Sequence, residues 1–406
     1  MLGLGACGTV AGDPAGVSTA DVDRHVVTVS DAPAAGSVVA ATDRLGLAVL
    51  GAAPQEENVV VSPASVAVAL SMLAEGARGE TAAWLDAALG ASGQDRTDAV
   101  NALLATLQTY DGDPAAVQDD ELPDTPLVHV ANQVVLDDQA QVHDAYLEVL
   151  AAGYDAGVLE TDLGSAAGLE PLHEWVRHHT GGLIEESAVR PDPLSRVALQ
   201  SAVLLAARWS APFAVPATSP RPFVLADGTD VDAEAMQQTH DWSYAEVDGW
   251  RAVRLPYTEG FHADVVLAPD GVDPASLTPG TSADLREALA VAPPRAVDLT
   301  LPTLDVDSDP LDLLPALHAL GLELADFGGI SDQDLGLSQA WHQAVLRVDE
   351  DGTVGAAVTE LVLAESAAAP PTGVVEMRVD RPYVFAVSHT ATGWPLFTAA
   401  IRDPRH

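Results

Sequence analysis

Apolar residues recur along this chain in two rhythms, helical in the first third and alternating later. From Ser37 to Leu50 they fall at Val39, Leu45, Leu47, Val49 and Leu50, which predicts a first helix. In Asn58-Val-Val-Val-Ser62-Pro63 a short β-branched run meets Ser62 as an N-cap, with Pro63 at the first helical position, where a missing N–H costs nothing. Val66, Leu70, Leu73 and Ala77 follow at helical spacing with Ala and Ser between them, so this second helix can be buried on nearly all sides. Another starts at Thr81 and stops at Gly90, and the pattern predicts more over 97–110, 143–153 and 172–179.

From Val130 onward strands enter. They are expected over 130–136, 196–205, 253–255, 263–267 and 297–301, and in the last third over 344–348, 374–379, 383–389 and 396–402. Helices dominate early and antiparallel-looking strands late, without regular βαβ spacing or an internal repeat, which predicts the α+β class. Residues 8–33 are rich in Gly, Ala, Asp, Val and Ser without helical period. The expected organisation is therefore a tether over 1–33 and one folded domain over 34–406.

With 406 residues, 48% of them hydrophobic, the chain can bury a large core. A formal net charge of -42 repels phosphate backbones and anionic headgroups, and no basic cluster overrides it locally, so nucleic acid is not an expected partner. All 18 basic residues are arginine, a bias that fits a high-GC genome. The one cysteine, Cys7, rules out an internal disulfide. Residues 1–7, MLGLGAC, resemble the end of a bacterial lipoprotein signal, in which small residues precede a cysteine that becomes lipidated. That predicts a bacterial protein at the cell surface or outside the cell, touching the membrane only through a lipid on Cys7. Read instead as an ordinary N-terminus, the same residues predict a cytoplasmic protein. No run of 18 apolar residues follows, so no membrane span is expected.

Residues 342–371 read HQAVLRVDEDGTVGAAVTELVLAESAAAPP. From Thr353 to Ala369 there is no proline, two charges and many Ala, Val, Leu and Thr residues, a composition unusual for a solvent-exposed loop and suited to a buried strand. Pro370 and Pro371 mark where such a strand must stop. Period two puts Thr353, Gly355, Ala357, Thr359, Leu361 and Leu363 on one uncharged face, with Val354, Ala356, Val358 and Glu360 on the other.

The segment 58–89, NVVVSPASVAVALSMLAEGARGETAAWLDAAL, resembles the serpin segment in which a strand leads into the central helix beneath the main sheet. The likeness extends through Ala131-Asn132-Gln133, Trp209 with Pro212-Phe213, Phe223 with Asp227-Gly228, Met236-Gln237 and Leu255-Pro256-Tyr257. It closes on Arg381-Pro382-Tyr383-Val384-Phe385, His389, Gly393, Leu396-Phe397 and Asp403-Pro404, so that it covers about residues 36–404.

This resemblance implies three β-sheets wrapped by eight or nine helices, held in a metastable form, with an exposed reactive-centre loop at about 352–371. It implies a hinge formed by Glu350, Asp351, Gly352, Thr353, Val354, Gly355, Ala356, Ala357, Val358 and Thr359. Val354 and Gly355 depart from the family's more usual Glu and Ala, and glycine in a strand costs roughly 0.5–1 kcal/mol relative to Ala. Counting the family spacing from Glu350 puts the scissile bond at Ser366-Ala367, and counting back from Pro370 puts it at Ala367-Ala368. Either bait is small and neutral, which points to an elastase-like or subtilisin-like serine protease as partner. Ser62, Ser65 and His342 match the family's buried polar gate, in which Ser201 stands where Asn is usual. Trp209 matches the residue at the upper end of the sheet where insertion begins.

The expected function is suicide-substrate inhibition of serine-type endopeptidases by a monomer. The alternative is a non-inhibitory serpin acting as a binding or structural module. Hydrolase activity is not expected, because no Gly-x-Ser-x-Gly elbow occurs. His173-Glu174 with His178 and His179 has one residue too many for a two-histidine zinc helix, so neither a metal site nor a cofactor is expected.

Overall fold

The computed structural model describes residues 26–119, 121–321, 325–354 and 373–405. Among these are eight α-helices: α1 (Ala35–Ala52), α2 (Pro63–Gly76), α3 (Gly79–Leu89), α4 (Gly93–Leu107), α5 (Asp144–Tyr154), α6 (Ala166–His179), α7 (Pro279–Val291) and α8 (Leu314–Ala319). The strands of the first half are β1 (Val59–Val61), β2 (Leu127–Leu136), β3 (Ala156–Glu160), β4 (Val197–Arg208), β5 (Ser219–Val224), β6 (Asp230–Val247), β7 (Trp250–Pro256) and β8 (Phe261–Leu267). Those of the second half are β9 (Arg295–Pro302), β10 (Leu304–Asp307), β11 (Leu311–Asp312), β12 (Trp341–His342), β13 (Val345–Val348), β14 (Gly352–Thr353), β15 (Val375–Arg378), β16 (Tyr383–His389) and β17 (Pro395–Ile401).

Three sheets result. One runs β10-β13-β14-β4-β2-β3, and we call it the first sheet. The second runs β1-β17-β16-β8-β7-β6-β9-β15, with β5 also paired to β6, and the third is the pair β11-β12. The 18-residue strand β6 lies against β5 and β9 along its first part and against β7 along its last.

Local chemistry explains the helix ends that matter. Ser62 caps α2 as the sequence predicts, its Oγ accepting the Ser65 N–H at 3.2 Å. Gly90 closes α3 at φ 77°, a left-handed position in which a Cβ would stand 2.5 Å from the Ser37 carbonyl oxygen. Helix α6 begins at Ala166 rather than after Pro171. Ser165 caps it, and Leu169 and Leu172 bury against Val135 and Leu159 on the outer face of the first sheet, which outweighs the N–H that Pro171 lacks.

The main core fills the space beneath the first sheet. The odd-numbered residues Val203, Leu205 and Ala207 of β4 point into it, where α2 packs between β4 and β17. The even-numbered Leu204 and Ala206 face outward, into a separate small cluster with Val117, Leu122 and Leu127. Under the sheet α2 is tied to two neighbouring helices by one carboxylate. Glu75 accepts from Arg96 at 3.0 Å, Thr97 at 2.7 Å and the Tyr154 hydroxyl at 2.6 Å. Removing a partner from this half-buried carboxylate would leave a poorly solvated charge, so the cluster ties α2 to α4 and α5.

Candidate functional site

The first sheet is open in its middle. Among the described residues β4 and β13 do not pair with each other. They are joined only at the upper end by β14, where Gly352 stands opposite Arg208, and Thr353 opposite both Ala207 and Val348. Below β14 a cleft of about 550 Å³ separates β4 from the stretch 334–347. Ser62, Ser65, Val66 and Leu70 of α2 floor it, and Ser187, Ala188 and Val189 lie over it. A gap one strand wide, bordered by two strand edges, leaves backbone donors and acceptors on both sides available to an added strand.

The gate residues named from the sequence meet at the floor of this cleft, but they do not bond across it. From one side His342 Nε2 accepts the backbone N–H of Ser62 at 2.9 Å. From the other, Ser65 Oγ donates to the main-chain carbonyl of Ser201 at 2.8 Å. Both lips of the gap are thus fastened to the first turn of α2 rather than to one another. The Ser201 Oγ is buried with no hydrogen-bond partner among the described residues, so the serine serves here through its backbone. Burial drives the His342 ring down to a pKa of about 4, and the neutral ring is what accepting the Ser62 N–H requires.

At the upper end Trp209 stacks flat on Tyr257, with ring centroids 4.4 Å apart at 9°. The Trp209 indole N–H donates to the Asp349 carbonyl at 2.9 Å, and its backbone N–H donates to that of Asp351 at 2.8 Å. Glu350 is held twice: its carbonyl accepts the Phe213 N–H at 2.8 Å, and its Oε1 accepts the Thr218 hydroxyl at 2.5 Å. Asp349 closes the turn between β13 and β14 by accepting the N–H groups of Asp351 and Gly352, both at 3.0 Å. Burial holds its carboxyl above the usual carboxylate range.

The loop expected to be exposed from residue 352 begins otherwise. Gly352 and Thr353 are buried as β14, and Thr353 Oγ1 lies 2.6 Å from the Tyr257 hydroxyl. A Cβ on Gly352 would stand 2.2 Å from the Ala207 carbonyl oxygen and 2.6 Å from Leu122, so only glycine lets the chain lie this close to β4. Val354 is buried too, on the outward face, in the cluster of Val117, Leu122, Leu127, Leu204 and Ala206. Its φ is 133°, a region that costs a β-branched residue about 1–3 kcal/mol. The apolar side chain that departs from the family pattern therefore holds residues 352–354 against the sheet. Gly355, Ala356, Ala357, Val358 and Thr359 of the hinge, the bait residues Ser366, Ala367 and Ala368, and Cys7 lie outside the described residues.

Sequence reasoning noted Tyr257 without a role and passed over Asp349 and Thr218. Tyr257 could have been found from its hydroxyl directly after the largely apolar strand β7. The histidine pair set aside as a metal site is occupied with structure: His173 Nδ1 accepts the Ser187 N–H at 2.9 Å, and His179 Nδ1 lies 2.8 Å from His129 Nε2.

The first sheet thus has a cleft between β4 and the 334–347 stretch, a short buried strand β14 closing its upper end, and a helix N-terminus fastening both lips. The family model described as Serpin (serine protease inhibitor) matches residues 40–404, and the chain belongs to that family. Iripin-2 of the tick Ixodes ricinus is 28% identical over 366 residues, which span 87% of this chain and 90% of the relative. An uncharacterised serpin-like protein of Thermococcus kodakarensis is 26% identical over 363 residues, 87% of this chain and 82% of its own. Among solved structures, the thermophilic serpin Tengpin in its native state matches with a TM-score of 0.77 at 21% identity, covering 95% of this chain and 99% of that one. The α+β serpin fold expected from the sequence is the fold observed.

Proposed function

We propose that this chain inhibits serine-type endopeptidases by trapping them as acyl-enzymes, and that elastase-like or subtilisin-like proteases are its targets. The observation that carries the reading is the open cleft between β4 and the 334–347 stretch, already entered at its upper end by Gly352 and Thr353. A protease serine attacks the carbonyl of the bait residue, Ser366 or Ala367, and the peptide nitrogen of the next residue leaves with a proton. The carbonyl stays esterified to the protease. The freed segment zips down the cleft from Thr353, its backbone satisfying both strand edges, and pulls the enzyme away before water completes hydrolysis.

The register supports this. Continuing antiparallel from Thr353 opposite Ala207, each added residue meets the next one down β4, and the uncharged face of the segment turns toward the core. The small residues at 366–368 suit a shallow, apolar primary pocket. A bacterial source, secretion or surface anchoring through Cys7, and a monomeric state complete the proposal. Incubating the protein with elastase and with subtilisin should give an SDS-resistant covalent adduct with at least one of them. Mass spectrometry of the released fragment should begin it at Ala367 or Ala368. Clean cleavage without adduct across a panel of proteases would overturn the proposal in favour of a non-inhibitory module.

A further inference from the structure

The stretch 187–190, between α6 and β4, lies across the outer mouth of the cleft and is fastened on both banks. On the near bank the Ser187 N–H donates to His173 of α6, and Gln200 of β4 reaches the Ser187 hydroxyl at 3.4 Å. On the far bank two glutamine side chains take over the strap's backbone. Gln339 Oε1 accepts the Arg190 N–H while its Nε2 donates to the Arg190 carbonyl, both at 3.0 Å. Gln343 Oε1 accepts the Ala188 N–H at 2.9 Å. The Arg190 guanidinium covers the Trp341 ring at 4.6 Å, and the Trp341 indole N–H donates to Gln339 Oε1 at 3.2 Å.

These far-bank groups are the outward members of an alternating strand. His342, Ala344, Leu346 and Val348 turn inward and are buried, so Gln339, Trp341 and Gln343 all face the strap. A strand descending between β4 and this bank must pass beneath Ser187 to Arg190. The glutamine amides hold the strap to this bank, and the entering backbone has to lift or part it to gain room.

We propose that Gln339 and Gln343 are positioning residues that set the rate at which the cleft accepts a strand. They thereby fix how a cleaved molecule partitions between trapping its protease and releasing it. This rests on the inhibitory reading above. Two races decide the outcome, insertion against deacylation, and the strap acts on the first alone. Weaker far-bank bonds speed insertion and favour the trap. Stronger ones favour turnover as a substrate.

The test compares the full-length protein with the double variant Gln339→Ala, Gln343→Ala and with Gln339→Glu, which keeps the acceptor for the Arg190 N–H and loses the donor to its carbonyl. Circular dichroism and the thermal midpoint of each uncut protein verify folding. Each is then clipped with subtilisin, and the appearance of the heat-resistant form is followed in time beside the fraction of protease captured. The double variant should insert roughly tenfold faster than wild type and capture a larger fraction, with Gln339→Glu between them, since several hydrogen bonds must part on the way to the transition state. Equal insertion rates in folded proteins would overturn the inference. A wild type that is clipped without inserting would overturn the inhibitory reading instead; insertion in the double variant alone would then support the strap, and insertion in neither would refute it.

Discussion

Thr353 Oγ1 and the hydroxyl of Tyr257 lie 2.6 Å apart in a buried pocket beside the Trp209 ring stacked on Tyr257. The first inward-facing residue of the hinge is thus already seated, and its side chain must be small and neutral. A charge brought to this position without a partner costs several kcal/mol. Thr353→Arg should therefore stop insertion at its first step. Titration of a susceptible protease should show the variant cleaved and the enzyme fully active afterwards, whereas Thr353→Ser should retain capture.

Val354 holds the hinge on the outward face, at a strained φ of 133° and among five apolar neighbours. Glutamate there would desolvate a carboxylate, and the 352–354 segment should leave the sheet. Hydrogen exchange should report faster labelling of residues 352–354 in Val354→Glu, and the protease should associate faster with the lengthened loop. Loss of the apolar anchor should destabilise the uncut protein by about 1–3 kcal/mol.

Acid should loosen the fastening at α2. The His342 pKa falls from 6.5 in the unfolded chain to about 4 when folded, so below 6.5 the unfolded chain binds a proton that the folded one refuses. The contribution is complete above the unfolded value and is lost as pH falls toward 4, by about 2 kcal/mol between pH 7 and pH 5. His262, lowered to about 4 by burial, acts in the same window and direction. The urea midpoint of the uncut protein should drop between pH 7 and pH 5, and His342→Gln should show a smaller drop, the remainder coming from His262 and His389, which burial lowers as well. An unchanged acid response in that variant would remove His342 from the fastening.

How much of this was written in the chain differs by element. The capped start of α2 was legible because Ser62-Pro63 is a local signal, and β16 because Tyr383–His389 is uninterrupted and apolar. Strand β6 escaped notice because its outward positions carry Asp, Glu, Gln and His, which blur the alternation over 18 residues. Helix α7 went unseen although Thr278 caps it and Pro279 opens it, since few of its residues are buried. At the site, residue identity pointed to His342, Ser62 and Ser65, but not to which atoms meet. That both lips bind α2 and leave the sheet open is a matter of geometry between positions 280 residues apart. The seating of Val354 depended on Val117 and Leu122, which no local pattern connects to it.

The central claim is that the uncut molecule stores energy that one backbone cleavage releases by filling the cleft between β4 and β13. Comparing thermal unfolding of the intact protein with that of protein clipped at 366–368 tests it most directly. Insertion of a full strand should raise the midpoint by tens of degrees, at about 1–2 °C for each kcal/mol gained in a domain of this size. Superimposable transitions for the two forms would mean that no strand enters, and that the open cleft is not a trap.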